Sequence, residues 1–216
     1  MELRRQLYVD GTHRDATSGE RTVLVNPATE EPFADVAAAS AADASAAVAS
    51  AHGAWEDGWR DLAPGRRAEI LFQVARRIRD HAEHLASFEM LAIGKPISDA
   101  RDEIALGARV FEYYAGAVGK FGGQTLPVAR GGVDFTRREP MGVVAAIVPW
   151  NFPFPIACWK AAPALAAGNC VVLKPASLSP LTALALGEIA HAAGAAAGVL
   201  QVVPGSGATV GDALVT

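Results

Sequence analysis

With 216 residues, 51% of them hydrophobic and 19% charged, the chain is long enough to bury one sizeable core at the usual ~100 to 200 residues per domain. A net charge of -4, with no run of like charges long enough for an interaction tail, excludes an electrostatic footprint for DNA or RNA. Cys158 and Cys170, both in apolar stretches, exclude a disulfide scaffold, and the N-terminus has no apolar core of signal-peptide length, so a reducing cytoplasmic location is expected.

The chain opens with short extended segments. Leu7-Tyr8-Val9 leads into Asp10-Gly11, a pair that tolerates positive φ and suits a hairpin. Thr22 to Val25 runs into Asn26-Pro27-Ala28-Thr29, whose Asn and Pro preset a turn. Ser40 and Asp43 predict a capped helix to about Trp55, the aspartate lying near the positive end of the dipole. A longer helix starts near Pro64, where the missing N–H is not needed. Its apolar residues Ile70, Leu71, Val74, Ile78, Leu85 and Phe88 recur at three and four residues, and Gly94 stops it. Ser98-Asp99 opens a third helix with Ile104, Ala108, Phe111 and Ala115 on its inner face.

From Gln124 the period changes to two. Val128, Val133 and Phe135 flank Gly131-Gly132, predicting a hairpin that Pro127 places at an edge. Its ladder is either an assembly surface or packed on its own domain. Beyond Pro140 come a strand (Gly142 to Val148), a helix (Phe154 to Leu165), a strand (Asn169 to Leu173), a helix (Leu181 to Ala193) and a strand (Val199 to Val203). Val-rich runs separated by helical patterns predict an α/β fold of parallel strands covered on both faces, with ligands beyond the strands' carboxyl ends. The apolar stretch Met141 to Gly168 is interrupted by Pro149, Asn151, Pro153, Pro155 and Pro163, so it reads as strand, loop and helix rather than a membrane span.

Three groups at those strand ends carry the chemistry. Asn151, between Trp150 and Phe152, is an uncharged donor that either meets a ligand or satisfies loop carbonyls. Lys174 closes a strand, where an ammonium either donates to ribose or phosphate oxygens or is simply solvated. Gly205-Ser206-Gly207-Ala208-Thr209-Val210-Gly211 either lets a phosphate approach a helix N-terminus or makes a tight packing turn; it lacks the lysine of a Walker loop. Neither cysteine has a neighbouring cation or helix N-terminus to lower its pKa, so both read as structural. His81 and His84 stand three apart on a charged helix without further recognisable ligands, and no metal is expected.

In order along the chain, these residues resemble the aldehyde dehydrogenase superfamily. The resemblance is carried by Asn26-Pro27-Ala28-Thr29, Trp55 and Trp59 before Arg66-Arg67-Ala68, Gly94-Lys95-Pro96, and Glu112 to Gly116. It is strongest from Glu139-Pro140-Met141-Gly142 through Pro149-Trp150-Asn151-Phe152-Pro153, Trp159-Lys160, Gly168-Asn169 and Lys174-Pro175, and continues to Gly205-Ser206-Gly207. The resemblance implies a Rossmann-like cofactor-binding fold, made here of residues 1–121 and 141–216, with residues 122–140 as an oligomerisation hairpin. It also implies that the fold is incomplete here, with the family's catalytic domain expected to be absent.

By the same resemblance, Asn151 is the oxyanion donor. Val148, Pro149, Trp150, Lys174, Ala176, Ser177 and Gly207 contact NAD or NADP, and Phe152, Ile156 and Trp159 line the aldehyde tunnel. It further implies a homodimer or homotetramer oxidising a small aldehyde through a cysteine thiohemiacetal and thioester. Two departures stand out. Ser177 occupies a position where many NAD-preferring members have a glutamate that repels a 2′-phosphate, which implies tolerance of NADP. The family's nucleophilic cysteine would fall beyond Thr216, so the chain alone is expected to be inactive, with a non-enzymatic nucleotide-binding or interaction module as the alternative reading.

Overall fold

In the computed structural model of the chain, which describes residues 3–216, local sequence signals settle the N-terminal elements. Strands β1 (Leu7–Val9) and β2 (Thr12–Arg14) pair across Asp10 and Gly11, whose φ values of 56° and 71° are the left-handed backbone that an Asp-Gly hairpin turn requires. A second hairpin joins β3 (Arg21–Val25) to β4 (Pro32–Ala37), and Asn26 Oδ1 closes its turn by accepting from the Ala28 N–H at 2.9 Å. β4 has no clear signature in the sequence, because Pro32 and Asp35 interrupt its alternation.

Helix α1 (Ala41–Ala54) begins with a reciprocal cap. Ser40 Oγ accepts from the Asp43 N–H at 3.2 Å, and Asp43 Oδ2 accepts from the Ser40 N–H at 2.9 Å. Burial pushes the Asp43 pKa up, but donors from Ser40 and Thr17 together outweigh it and hold the carboxyl below its ordinary value.

The single helix expected from Pro64 to Gly94 is two, α2 (Pro64–Asp80) and α3 (Ala82–Ile93), broken at His81. The apolar spacing runs straight through the break, so periodicity alone does not reveal it. α3 ends in a left-handed cap at Gly94, with φ of 73°. α4 (Ile97–Ala117) buries Ile104, Ala108, Phe111 and Ala115, as its spacing predicts. The hairpin of β5 (Thr125–Leu126) and β6 (Asp134–Phe135) has only two residues per strand, all exposed.

Three parallel strands follow: β7 (Val143–Ile147), β8 (Cys170–Lys174) and β9 (Leu200–Val202), linked by α5 (Pro153–Ala166) and α6 (Leu181–Ala192). β1 adds to β9 in the antiparallel sense, so the sheet is mixed, in the order β2-β1-β9-β8-β7. One face carries α1; the other carries α5 and α6, with α2, α3 and α4 packed outside them. β8 and β9 are buried along their whole length. β7 is not covered on both faces as its apolar run predicted: it is an edge strand, and Ala145 and Ile147 are exposed.

The start of β7 and the end of α5 are fastened at one point. Asn169 Oδ1 accepts from the N–H groups of Met141 (2.7 Å) and Gly142 (3.1 Å), while its Nδ2 donates to the Ala164 carbonyl at 3.1 Å. Trp55 and Trp59 donate their indole N–H groups to the carbonyls of Gly168 and Asn169, and Arg67 Nε donates to Ala166. A cation at the last carbonyls of α5 also complements its dipole. No helix among the described residues is long and apolar enough to cross a membrane.

Candidate functional site

The three parallel strands deliver their carboxyl ends to one edge. Ile147 lies opposite Lys174 and Leu173 opposite Val202. Beyond the strands, the Val148 N–H donates to the Lys174 carbonyl at 3.1 Å and the Val203 N–H to Leu173 at 3.0 Å. Segments Val148 to Trp150, Lys174 to Ser177 and Gly205 to Gly207 therefore emerge side by side. Ser177 Oγ ties two of them by donating to the Gly205 carbonyl at 3.0 Å. Val148 is buried, Ala176 and Ser177 are half-buried, and Pro149, Trp150 and Gly207 are exposed.

Lys174 is only 5% exposed, so its stem is buried and only the end of the side chain reaches the edge. Its ammonium has neither an ion-pair nor a hydrogen-bond partner among the described residues, and burial lowers its pKa. A buried cation without a partner is costly.

The glycine segment divides between its two readings. A Cβ on Gly205 would stand 2.5 Å from Val210 Cγ2 and 3.1 Å from the Ala39 carbonyl, so this glycine serves close packing. A Cβ on Gly207 would meet nothing, leaving its backbone open. Ser206 caps the π-helical turn Gly207–Gly211 by accepting from the Thr209 N–H at 3.0 Å, and α7 (Asp212–Val215) continues it.

Asn151 is exposed, and its side-chain amide has no hydrogen-bond partner among the described residues, so it does not satisfy loop carbonyls. Phe152 caps α5, and Pro153 occupies the helix's first position, where no backbone donor is needed. Phe152, Ile156 and Trp159 then fall four and three residues apart on one helix face. Phe152 and Trp159 expose about half of their rings, and Ile156 is half-buried between them. An apolar stripe thus begins directly beside the free amide.

The cysteines lie inside the core. Burial pushes the Cys158 thiol well above its ordinary value and Cys170 up to about 12, so neither supplies a thiolate at neutral pH. His81 occupies the break between α2 and α3, so it does not share a continuous helix with His84.

Sequence reading missed the ionisable cluster behind the Asn151 turn: Glu89, Lys95 and Glu103, with Thr182. A signal was present. Glu89 stands four residues after Leu85 on the buried stripe of α3, and an acid on an apolar face needs a partner.

The model of the aldehyde dehydrogenase family matches residues 13–216. The chain is similar to an indole-3-acetaldehyde dehydrogenase solved in complex with NAD+, at 43% identity and a TM-score of 0.96, over 99% of this chain and 44% of that one. It is also similar to the aldehyde dehydrogenase KauB from Pseudomonas aeruginosa, at 40% identity and a TM-score of 0.96, over 99% and 43% of the two chains. PnpE in complex with nicotinamide adenine dinucleotide matches at 41% identity with a TM-score of 0.95, over 98% and 44%. The chain therefore spans about half the length of the solved relatives it matches. With the family model covering nearly all of it and the fold shared throughout, the chain belongs to the aldehyde dehydrogenase family.

Proposed function

We propose that the strand-end edge is the cofactor side of an NAD(P)-dependent aldehyde dehydrogenase site, serving oxidation of a small aldehyde to a carboxylic acid through a cysteine thiohemiacetal and thioester. The observation that carries this is Lys174: a buried lysine whose ammonium has no partner among the described residues, at the edge where α/β sheets bind nucleotides. The donor set fits such a group, since a cation, the Ser177 hydroxyl and the open backbone at Gly207 border one cleft. When bound, the nicotinamide cofactor supplies the hydride acceptor.

The side chains of this chain serve cofactor and substrate binding, and the nucleophile is neither of its two buried cysteines. Lys174 donates to ribose hydroxyls, Ala176 and Ser177 flank that contact, and Val148, Pro149 and Trp150 form the opposite wall. Asn151 donates its free amide to the substrate oxygen as negative charge develops there, a contribution of about 10² to 10³ in rate for one such donor. Phe152, Ile156 and Trp159 hold the apolar part of the aldehyde beside that amide.

Residues 1–121 and 141–216 act as the cofactor-binding domain. Residues 122–140 act as an assembly surface: Leu126, Val128, Val133 (82% exposed) and Phe135 present an uncovered apolar ladder suited to a second copy in a dimer or tetramer. Two buried free thiols suit a reducing, cytoplasmic setting. Titration calorimetry of the purified chain with NAD+ and NADP+ tests the reading. Saturable binding that weakens about tenfold or more in Lys174→Ala supports it; binding unaffected by that substitution counts against it.

A further inference from the structure

Apart from the strand-end cleft, one cluster of ionisable side chains is buried where α3, α4 and α6 meet the 149–152 turn. Lys95 stands between the left-handed Gly94 and Pro96, whose ring fixes its own φ and biases the preceding residue to extended backbone. The lysine thus has little conformational freedom at the corner of two helices. Its side chain is only 12% exposed and meets carboxylates from both: an ion pair with Glu103 of α4, and Glu89 Oε2 of α3 at 3.7 Å. Glu89 is 1% exposed; Thr182 of α6 holds its Oε1, while its Oε2 accepts no hydrogen bond. Lys95 is thus the cation beside Oε2.

The outward side of the same ammonium faces the turn. Lys95 Nζ donates to the backbone carbonyl of Asn151 at 3.5 Å and lies 5.1 Å from the centroid of the Phe152 ring. A cation over an aromatic face is attracted to it, and more strongly where water is excluded. The turn has few other ties. Trp150, Asn151 and Phe152 are all exposed, and the Asn151 amide is unpaired. The Glu103 carboxylate, with Glu89 beside it, holds the ammonium on the inner side, and the ammonium in turn holds one carbonyl and one ring.

We propose that Lys95 is a positioning residue, whose buried ammonium locks the Asn151–Phe152 turn and so presents the Asn151 amide in one orientation. The significance of that orientation rests on Asn151 acting as the donor to the substrate oxygen. The lock itself belongs to the ligand-free chain, so it stands or falls independently of that role.

Nuclear magnetic resonance of the 216-residue chain, without ligand, reads the lock directly. In the wild type, the Asn151 and Phe152 amides are expected to show order parameters near the rigid value of about 0.85. In Lys95→Met they fall below about 0.6 and the Asn151 carbonyl carbon shifts upfield as its donor is lost, while the amides of β8 are unchanged. Lys95→Arg restores both signals. A wild-type turn already below that threshold, or a Lys95→Met spectrum unchanged at Asn151, overturns the proposal.

Should Lys95→Met fail to fold, Phe152→Leu gives the second reading from the surface side. The Lys95 ε-methylene protons then lose the ring-current shift they carry in the wild type; an absent shift in the wild type also overturns the lock. Loss of nucleotide binding in Lys174→Ala, or its persistence, moves none of these signals, so the functional reading and the lock fail separately.

Discussion

Thr182 Oγ1 donates to Glu89 Oε1 across 2.5 Å, joining α6 to α3 through an acid with almost no access to water. Burial raises the Glu89 pKa to about 7, from 4.5; the Thr182 hydrogen bond and the Lys95 charge offset only part of that effect, and Glu103 adds to it. Between those values the folded chain keeps a proton that the unfolded chain has released. Stability therefore falls as pH rises through this window, by at most about 3 kcal/mol once the change is complete. Urea unfolding at about pH 5 and about pH 8 measures it. Glu89→Gln mimics the neutral acid and is expected to flatten the dependence; an equal slope in that variant would place the proton elsewhere.

Asn169 fastens β7 to α5 with three hydrogen bonds from one side chain. Asn169→Ala leaves the Met141 and Gly142 N–H donors without a partner, while the Ala164 carbonyl keeps its bond from the backbone N–H of residue 169, at an expected cost of about 2 to 4 kcal/mol. Asn169→Asp still accepts from Met141 and Gly142 but cannot donate to Ala164, so its loss should be smaller. Denaturant midpoints of the three proteins rank them. If the two variants are equally destabilised, the bonds donated by Met141 and Gly142 carry little of the effect.

Residues that act through local chemistry were readable in the sequence. Ser40 and Asp43 marked the α1 cap, Asp10-Gly11 the first hairpin, and the Val-rich runs the parallel strands, because each signal is a conformational preference of the residues concerned. What was not readable depends on distant neighbours. The break at His81 lies inside an uninterrupted apolar period, and β7 looks like an interior strand although among the described residues only β8 pairs with it. In the candidate site, the strand-end positions of Asn151 and Lys174 followed from the βαβ rhythm. The burial of Lys174 and the approach of Lys95 to Asn151 did not, since each needs segments far apart in sequence to meet.

Lys174 sets stability against binding. Because burial lowers its pKa, the folded chain gives up the proton before the unfolded chain does at 10.5. Stability then rises with pH through the alkaline range below that value, and the penalty is fully present at neutral pH. Lys174→Met keeps the stem and removes the charge. The ligand-free variant is expected to be more stable at neutral pH, by about 1 kcal/mol, to lose the alkaline rise, and to bind nucleotide more weakly. Thermal unfolding of both proteins, with and without NAD+, separates the two effects; a destabilised Lys174→Met would show that the ammonium contributes to the fold itself.

On the proposed reading of the strand-end edge, Ser177 is the residue at which cofactor choice is tested. Its hydroxyl donates to Gly205 and carries no charge, so nothing at this position repels a 2′-phosphate. Dissociation constants for NAD+ and NADP+ within about tenfold of each other are expected, a difference of no more than about 1.4 kcal/mol. Ser177→Glu adds a carboxylate and should weaken NADP+ by a further tenfold or so while sparing NAD+, since the added term is repulsive and specific to the phosphate. The same substitution also strips the Gly205 carbonyl of its donor. Ser177→Ala isolates that loss: it removes the hydrogen bond without adding charge, so it should shift both cofactors equally and leave their ratio where the wild type has it. A changed ratio in Ser177→Ala would assign selectivity to the shape of the Ser177–Gly205 tie rather than to charge.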